Sequence, residues 1–316
     1  MNSQENVTAI SCFILAGFPE AHKFRFLIFS VLLSLYIITL MTNILIILTV
    51  KSDPILNTPM YFFLMHLAYL EVCYMSVIIP KLLETLLVDS EVISFLECAI
   101  QMFLFLFFGV AECFLLAAMA FDRYVAICHP LRYMTIMSRS TCWKMVTGSY
   151  IFGSIVGLIH TTVTFQLPFC GVVINHFFCE IQPLLGLVCN DTFINEVQVI
   201  GVAMLAIMLP FFLIILSYTG IIITLTGMSS LGSRHKAFST CTSHLIVVIL
   251  FYGTAGSMYL KPKSCYSPSV DKLLSFSYTI ATPLLNPIIY SLKNKEIQGA
   301  LKKLRRKMVL LQIKRW

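Results

Sequence analysis

The chain has 316 residues, of which 58% are hydrophobic and 12% charged, and its formal net charge is +7. A soluble domain carries about 25% charged residues because its surface faces water. This composition therefore excludes a soluble enzyme, a disordered protein and a nucleic-acid-binding protein. In a membrane protein, the side on which the basic residues lie is more informative than their sum.

Seven apolar stretches are long enough to form membrane-spanning helices, each of which needs about 20 residues. They cover roughly residues 26–50, 59–80, 98–121, 143–165, 197–226, 237–260 and 273–292. We therefore predict an all-α membrane protein, a seven-helix bundle whose transmembrane domain is 26–292. Residues 1–25 are expected to form an unpacked N-terminal tail, and residues 293–316 a basic C-terminal tail.

The distribution of Lys and Arg predicts the orientation of these helices. If the N-terminus lies outside, sixteen of the basic residues face the inner side and six the outer side. Basic residues concentrate on the cytoplasmic side of membrane proteins, so we place the N-terminus outside and the C-terminus inside. We expect Asn6 to be glycosylated, because it begins a sequon and such sequons are modified in extracellular segments; this agrees with an N-terminus outside. A second sequon begins at Asn190.

The cysteines at positions 98, 170, 179 and 189 all fall at or beyond the predicted outer face. Disulfides persist on that side because the environment is oxidising. Four cysteines allow three connectivities, and their spacing alone does not choose among them.

Four motifs follow one another along the chain, each near the inner end of a predicted helix. Residues 56–64 read Leu-Asn-Thr-Pro-Met-Tyr-Phe-Phe-Leu, and residues 119–128 read Met-Ala-Phe-Asp-Arg-Tyr-Val-Ala-Ile-Cys. Residues 236–245 read Lys-Ala-Phe-Ser-Thr-Cys-Thr-Ser-His-Leu, and residues 283–290 read Pro-Leu-Leu-Asn-Pro-Ile-Ile-Tyr. In this order they resemble the motifs of the olfactory receptors, which are rhodopsin-like G-protein-coupled receptors. The loop from Cys170 to Cys189 resembles the tetrapod-type (class II) group.

This resemblance implies an odorant receptor and not an enzyme. It implies that small, mostly apolar volatile molecules bind in the outer half of the bundle and activate a heterotrimeric stimulatory G protein, which raises cyclic AMP. The expected location is the plasma membrane of olfactory sensory neuron cilia. One alternative is a rhodopsin-like receptor for a non-odorant small molecule. Another is a transporter, which would show interrupted helices in matching halves of the chain, and the sequence has no such pattern.

The resemblance also assigns the activation switch and the surface that couples to the G protein. The positions are Asp122, Arg123, Tyr124, Tyr218, His244, Asn286, Pro287 and Tyr290. The guanidinium of Arg123 can hold the neighbouring Asp122, or it can turn to partner groups when the inner half opens. The alternative is that Arg123 only anchors the end of its helix at the membrane interface.

Glu71 and Glu112 are the acidic residues that fall within predicted spans. A carboxylate at that depth is costly unless it is paired, hydrated or protonated, so each is a functional candidate. By resemblance, they could hold a sodium ion together with Asn43 and Asn286, since oxygen ligands suit a hard cation. The alternative is that one or both are protonated and hydrogen-bonded within the bundle. Apart from this possible ion, we expect no cofactor.

The pairs Cys98–Cys179 and Cys170–Cys189 match the two disulfides of the family, which would fold the second outer loop over the bundle. The resemblance places the ligand between the outer halves of the third, fifth, sixth and seventh helices. The expected ligand-binding residues are Met102, Phe105, Leu106, Gly109, Val110, Val202, Ala203, Ile207, Tyr252, Ala255, Tyr259, Phe276 and Thr279. The expected hydrogen-bond donors are Tyr252, Tyr259, Ser275 and Thr279. Ordinary helix packing is the alternative for each residue.

The C-terminal residues 293–315 alternate basic with apolar side chains. This pattern is typical of an amphipathic helix on the anionic inner leaflet, where each Lys or Arg contributes about 1 kcal/mol. Membrane lipids are therefore an expected partner, and nucleic acid is not.

Overall fold

The structure is a computed structural model that describes residues 10–17, 23–88, 90–189, 193–228, 230–259 and 268–313. The long helices are α1 (Arg25–Ser52), α2 (Pro59–Val88), α3 (Phe95–Cys128), α5 (Arg139–Phe165), α7 (Phe193–Gly227) and α8 (Leu231–Tyr259). The seventh span consists of α9 (Pro268–Phe276), a π-helical turn (Ser277–Ala281) and α10 (Thr282–Lys293). Short helices α4 (Tyr133–Ile136) and α6 (Ile181–Leu185) lie in loops, and α11 (Lys295–Ile313) follows the seventh span.

Within the described ranges, five helices are long and apolar enough to cross a membrane on their own: α1, α2, α3, α5 and α7. Helix α8 contains a shorter apolar segment, Cys241–Ser257, because its first turns carry Arg, His, Lys, Ser and Thr. The seventh span is long enough only when α9, the π turn and α10 are taken together. These helices form the seven-helix bundle that the sequence predicts.

The π turn in the seventh span has a local cause. Pro283 has no backbone N–H, so it cannot donate the helical hydrogen bond to the carbonyl of Thr279, which lies in the turn. Single π turns inside helices are frequent at functional sites. This one faces the centre of the bundle, since Tyr278 and Thr279 are buried.

Helix α3 lies at the centre of the bundle and packs against α2, α5, α7 and α8. Its contact with α5 is close because two glycines of α5 leave room for the backbone of α3. A Cβ atom at Gly153 would lie 2.6 Å from the carbonyl oxygen of Phe107, and one at Gly157 would lie 3.0 Å from that of Phe103. Glycines four residues apart are a common means of bringing membrane helices together.

A small sheet covers the outer end of the bundle. Strand β1 (Cys12–Leu15) is the middle strand, antiparallel to β2 (Val92–Ser94) and parallel to β3 (Val173–Ile174). The expectation that residues 1–25 are unpacked is therefore wrong for this segment. Alternate side chains of β1, Phe13 and Leu15, point into a buried apolar cluster, which explains why the strand docks. Asn6, Asn190 and their sequons lie outside the described residues.

Helix α11 forms the amphipathic tail that its pattern predicts. Ile297 and Ala300 are buried against the bundle, and the basic side chains at 302, 303, 305 and 306 are exposed. The ammonium of Lys303 lies 3.0 Å from Oδ2 of Asp53, in the loop after α1. This hydrogen bond, assisted by the backbone N–H of Ile55, holds the pKa of the Asp53 carboxyl below its usual range.

Candidate functional site

A cavity lies in the outer half of the bundle between α3, α5, α7, α8 and the π turn, and α6 borders it. This outer cavity has a volume of about 60 Å³. Its described lining is Phe105, Leu106, Gly109, Val110, Cys113, Val156, His160, Ile181, Val199, Ala203, Ala206, Ile207, Ala255 and Tyr278. A volume of this size holds more than one water molecule, and its walls suit a small apolar molecule.

The ligand residues predicted from the resemblance overlap this lining only in part. Those that line the outer cavity are Phe105, Leu106, Gly109, Val110, Ala203, Ile207 and Ala255. Met102 is instead buried in the apolar cluster around Phe13, closer to the outer surface. Val202 packs against the cluster formed by Val110, Val156 and Ala206. The Phe276 ring lies 6.3 Å from the ring of Phe177, in the loop above the bundle.

Three of the predicted hydrogen-bond donors are used within the protein and do not line the described part of the cavity. The Tyr252 hydroxyl donates to the carbonyl oxygen of Cys113 at 3.1 Å. Thr279 donates to the carbonyl oxygen of Ser275 at 2.7 Å, and Ser275 donates to Oε2 of Glu180 at 3.2 Å. Each of these three hydroxyls therefore already donates its hydrogen to a protein oxygen, as a hydroxyl in a buried helix commonly does. The side chain of Tyr259 lies outside the described residues.

The lining also contains residues that the sequence did not predict. They are Cys113, Val156, His160, Ile181, Val199, Ala206 and Tyr278. Val156 and His160 lie one turn apart on α5, a helix from which the resemblance drew no ligand residue. A histidine in the outer half of an apolar span was the sequence signal, because polar side chains at that depth are rare and frequently functional.

The second outer loop is fixed above the cavity by covalent and polar contacts. The disulfide Cys98–Cys179 joins this loop to α3, and Cys170–Cys189 closes the loop on itself. The side chain of Gln101 accepts a hydrogen bond from the Cys179 backbone N–H at 2.9 Å and donates one to the Val77 carbonyl at 3.0 Å. The loop is therefore a tethered lid over the outer cavity.

A buried polar cluster joins this lid to the seventh span and the N-terminal strand. Nε2 of His176 lies 3.2 Å from Oε2 of Glu180, the oxygen to which Ser275 donates. Lys272 donates to the carbonyl oxygens of Ala16 and Gly17 at 2.9 and 2.6 Å. Burial lowers the pKa of His176 to about 3; a backbone hydrogen bond at Phe178 opposes this shift, and the charge of Lys272 adds to it. The imidazole is therefore neutral at physiological pH.

The two mid-membrane carboxyls lie in a polar region at the centre of the bundle. Asn286 donates a short hydrogen bond to Oε1 of Glu71, and the side-chain N–H of Asn43 donates to the Pro283 carbonyl at 3.3 Å. Oε1 of Glu112 and the Oδ1 atoms of Asn43 and Asn286 are buried and have no hydrogen-bond partner among the described residues. Unpartnered oxygens are suitable ligands for a hard cation, so these residues fit the sodium ion that the resemblance implies.

A second cavity opens at the inner end of the bundle and has a volume of about 530 Å³. Its described lining is Thr58, Met60, Tyr61, Leu64, Met119, Arg123, Ala126, Tyr133, Ser243, His244, Tyr290, Asn294, Lys295 and Glu296. Arg123 is nearly buried there, and its guanidinium lies 3.5 Å from Oδ2 of Asp122. Tyr133 of α4 donates to the other carboxylate oxygen of Asp122 at 2.8 Å.

A chain of hydrogen bonds links three helices next to Arg123. The Tyr218 hydroxyl on α7 lies 2.8 Å from Nδ1 of His244 on α8. Nε2 of the same imidazole lies 3.1 Å from the carbonyl oxygen of Leu116 on α3. The Tyr290 hydroxyl is buried nearby and has no hydrogen-bond partner in the described part of the chain.

The other predicted switch residues lie away from the described lining of the inner cavity. Tyr124 packs against α7, where a Cβ atom at Gly220 would lie 2.5 Å from its ring. Asn286 reaches Glu71 at the centre of the bundle, and Pro287 is buried in α10.

Residues 32–307 match the olfactory receptor family. The human (Homo sapiens) olfactory receptor 10A7 is 51% identical over 300 residues, which cover 95% of each chain. The human olfactory receptor 10C1 is 50% identical over 309 residues, which cover 98% of this chain and 99% of that one. The chain belongs to the olfactory receptor family.

As an olfactory receptor, the protein is a multi-pass protein of the plasma membrane and a G-protein-coupled receptor for odorants, and it is not an enzyme. The outer cavity lies under the disulfide-tethered lid, on the side of the N-terminal strand. The inner cavity lies beside the Asp122-Arg123-Tyr124 triplet. In this olfactory receptor α3 lines both cavities, so one helix connects the two ends of the bundle.

Proposed function

We propose that this olfactory receptor binds a small, mostly apolar volatile in its outer cavity and activates a stimulatory G protein through its inner cavity, raising cyclic AMP. The observation that carries the proposal is the outer cavity itself, which is lined mainly by apolar side chains of α3, α5, α7 and α8. Such walls favour a hydrocarbon body and leave little polar surface for a charged ligand.

In this proposal, the Tyr218–His244–Leu116 contacts stabilise the resting arrangement by holding α8 against α3. Arg123 is held by Asp122 in the same arrangement. An odorant or a G protein favours the open arrangement only by binding it better than the resting one. When α8 moves away from α3, Arg123 is freed to contact the G protein.

The mid-membrane oxygens of Glu71, Glu112, Asn43 and Asn286 would hold a sodium ion in the resting bundle. The ion would supply positive charge that compensates the two buried carboxylates. Two of the hydrogen bonds that these side chains make, from Asn43 to the Pro283 carbonyl and from Asn286 to Glu71, join α1 and α2 to α10.

The test is a panel of volatiles applied to cells that display the receptor on their surface, with cyclic AMP as the readout. We expect at least one volatile to raise cyclic AMP, and Arg123→Ala to abolish that response while surface labelling is unchanged. Ile222→Ala is the matched control, because Ile222 is 59% exposed on the lipid-facing side of α7. The same response should disappear in cells that lack the stimulatory α-subunit. A response that persists there contradicts the coupling, and a normal response of the Arg123 variant contradicts the switch.

A further inference from the structure

The outer cavity contains few polar side chains, and their contacts differ. The described lining offers the His160 imidazole, the Tyr278 hydroxyl and the Cys113 thiol. The Tyr278 ring is packed among Tyr74, Phe105 and Phe251, and its hydroxyl would lie 3.3 Å from a Cβ atom at Gly109. The His160 imidazole is the polar group that α5 contributes to the described lining.

His160 is only 5% exposed, yet its ring has no hydrogen-bond partner among the residues that the structure describes. An imidazole carries one donor and one acceptor in its neutral form, and leaving both unused in a buried site is costly. The cavity is the space that the ring borders. A molecule in the cavity can therefore supply a partner for His160.

The position of His160 on α5 defines the geometry of that partner. Val156, one turn away on the same face, lines the cavity beside it, and Val110 and Ile207 line it from α3 and α7. A ligand atom that reaches His160 thus has its remaining atoms against apolar walls. The hydroxyls of Tyr252, Ser275 and Thr279 do not compete, because each donates to another protein oxygen.

We propose that His160 determines ligand specificity by hydrogen-bonding the single oxygen of an apolar ligand, a hydroxyl or a carbonyl group. Its acceptor nitrogen can bind a hydroxyl, and its N–H can bind a carbonyl oxygen. A site that bonds a polar ligand group discriminates strongly against the analogue that lacks it, because the buried protein group is then unpaired. This inference rests on the proposed function of the outer cavity and adds the chemical class of its ligand.

The experiment measures cyclic AMP dose–response curves in cells that display the receptor. The compounds are hexanol, hexanal, octanol, octanal, cyclohexanol and cyclohexanone, together with the parent hydrocarbons hexane, octane and cyclohexane. The variants are His160→Phe, which keeps an aromatic ring without hydrogen-bonding atoms, and His160→Gln, which keeps a donor and an acceptor. Ile159→Phe is the control, because Ile159 is the preceding residue of α5 and is 47% exposed towards lipid. Surface labelling verifies that each variant folds and reaches the membrane.

We expect oxygenated agonists to activate the wild type more strongly than their hydrocarbons. Their half-maximal concentration should rise by about tenfold or more in His160→Phe, recover partly in His160→Gln and stay unchanged in Ile159→Phe. The inference is overturned if oxygenated agonists keep their potency in His160→Phe, if hydrocarbons activate equally well, or if no oxygenated compound activates the wild type. If other volatiles still raise cyclic AMP in that last case, the proposed function stands without the role of His160. If no volatile raises cyclic AMP in cells that display the receptor on their surface, the proposed function fails as well.

Discussion

The Tyr218 hydroxyl lies 2.8 Å from Nδ1 of His244, and the other imidazole nitrogen lies 3.1 Å from the Leu116 carbonyl oxygen. One histidine thus bridges α7, α8 and α3 in the wall of the inner cavity. Both ring nitrogens are used, so any movement of α8 away from α3 must break at least one of these contacts. The histidine is therefore a point at which the inner half of the receptor can be held closed.

Replacing His244 by Phe should raise the basal activity of the receptor. A hydrogen bond contributes about 0.5–1.5 kcal/mol, so losing it should shift the resting-to-open equilibrium by about two- to tenfold. The measurement is cyclic AMP without odorant, normalised to surface expression. Ile249→Ala, on the lipid-facing side of the same helix where Ile249 is 68% exposed, should leave the basal level unchanged. An unchanged or lower basal level in His244→Phe would show that this contact does not hold the resting state.

Gly153→Ala should destabilise the bundle, whereas Gly148→Ala should not. A Cβ atom at Gly153 would meet the Phe107 carbonyl oxygen at 2.6 Å, and backbone atoms cannot turn away as a flexible side chain can. At Gly148, on the same helix, no heavy atom lies within 4 Å of the added Cβ. Overpacking of this kind costs about 1–3 kcal/mol. Melting temperatures of the purified receptor should therefore fall for the first variant only, and equal values would refute the close α3–α5 packing.

Acidification should weaken the outer lid through His176. Its pKa is lowered by burial to about 3, whereas an exposed histidine has an ordinary value of 6.5. The stability that comes from keeping the imidazole neutral is complete above about pH 6.5 and is lost as the pH falls towards 3. The expected loss near pH 5 is on the order of 1 to 2 kcal/mol.

The measurement is the melting temperature of the purified receptor at about pH 7.5 and about pH 5. His176→Gln should reduce the difference between the two values. His129→Gln, in the exposed loop after α3, should leave the difference as in the wild type. Identical pH dependence in all three proteins would contradict the role of His176.

Sodium should stabilise the resting receptor through Glu112. Oε1 of this residue and the Oδ1 atoms of Asn43 and Asn286 are buried oxygens that have no hydrogen-bond partner among the described residues, so they can bind a cation. In isolated membranes, replacing sodium by N-methylglucamine should raise basal G-protein activation in the wild type. Glu112→Gln should lose this dependence, and Glu84→Gln, an exposed change near the outer end of α2, should keep it. A dependence that survives in Glu112→Gln would rule out this ion site.

The bundle was predictable because its signals are local. Seven apolar stretches define the spans, and the helix that carries Asp122 and Arg123 continues as far as Cys128, so the triplet lies in its last two turns. The start of α3 is also set by a local signal. Ser94 and Glu97 form a capping box, in which each side chain bonds the backbone N–H of the other residue.

The cavity lining was less predictable because it depends on helix rotation and on hydrogen bonds between distant residues. Nothing in the sequence around Thr279 or Tyr252 shows that their hydroxyls donate to protein carbonyls. The lining role of His160 required the packing of α5 against α3, which is set by Gly153 and Gly157. Those two glycines, four residues apart, were the sequence signal that α5 packs closely against α3. The predicted ligand site had included no residue of α5.

The N-terminal strand has a consequence for how the receptor is made. Residues 12–15 are synthesised before their sheet partners, residues 92–94 and 173–174, and before Lys272, which binds the carbonyls of Ala16 and Gly17. Contacts so distant along the chain form slowly, because the intervening segments must be ordered first. Strand β1 therefore lacks its full set of partners until residues 92–94, residues 173–174 and Lys272 have all been synthesised. An epitope tag fused to the N-terminus must therefore leave this strand free to pair with β2 and β3 after they have been synthesised.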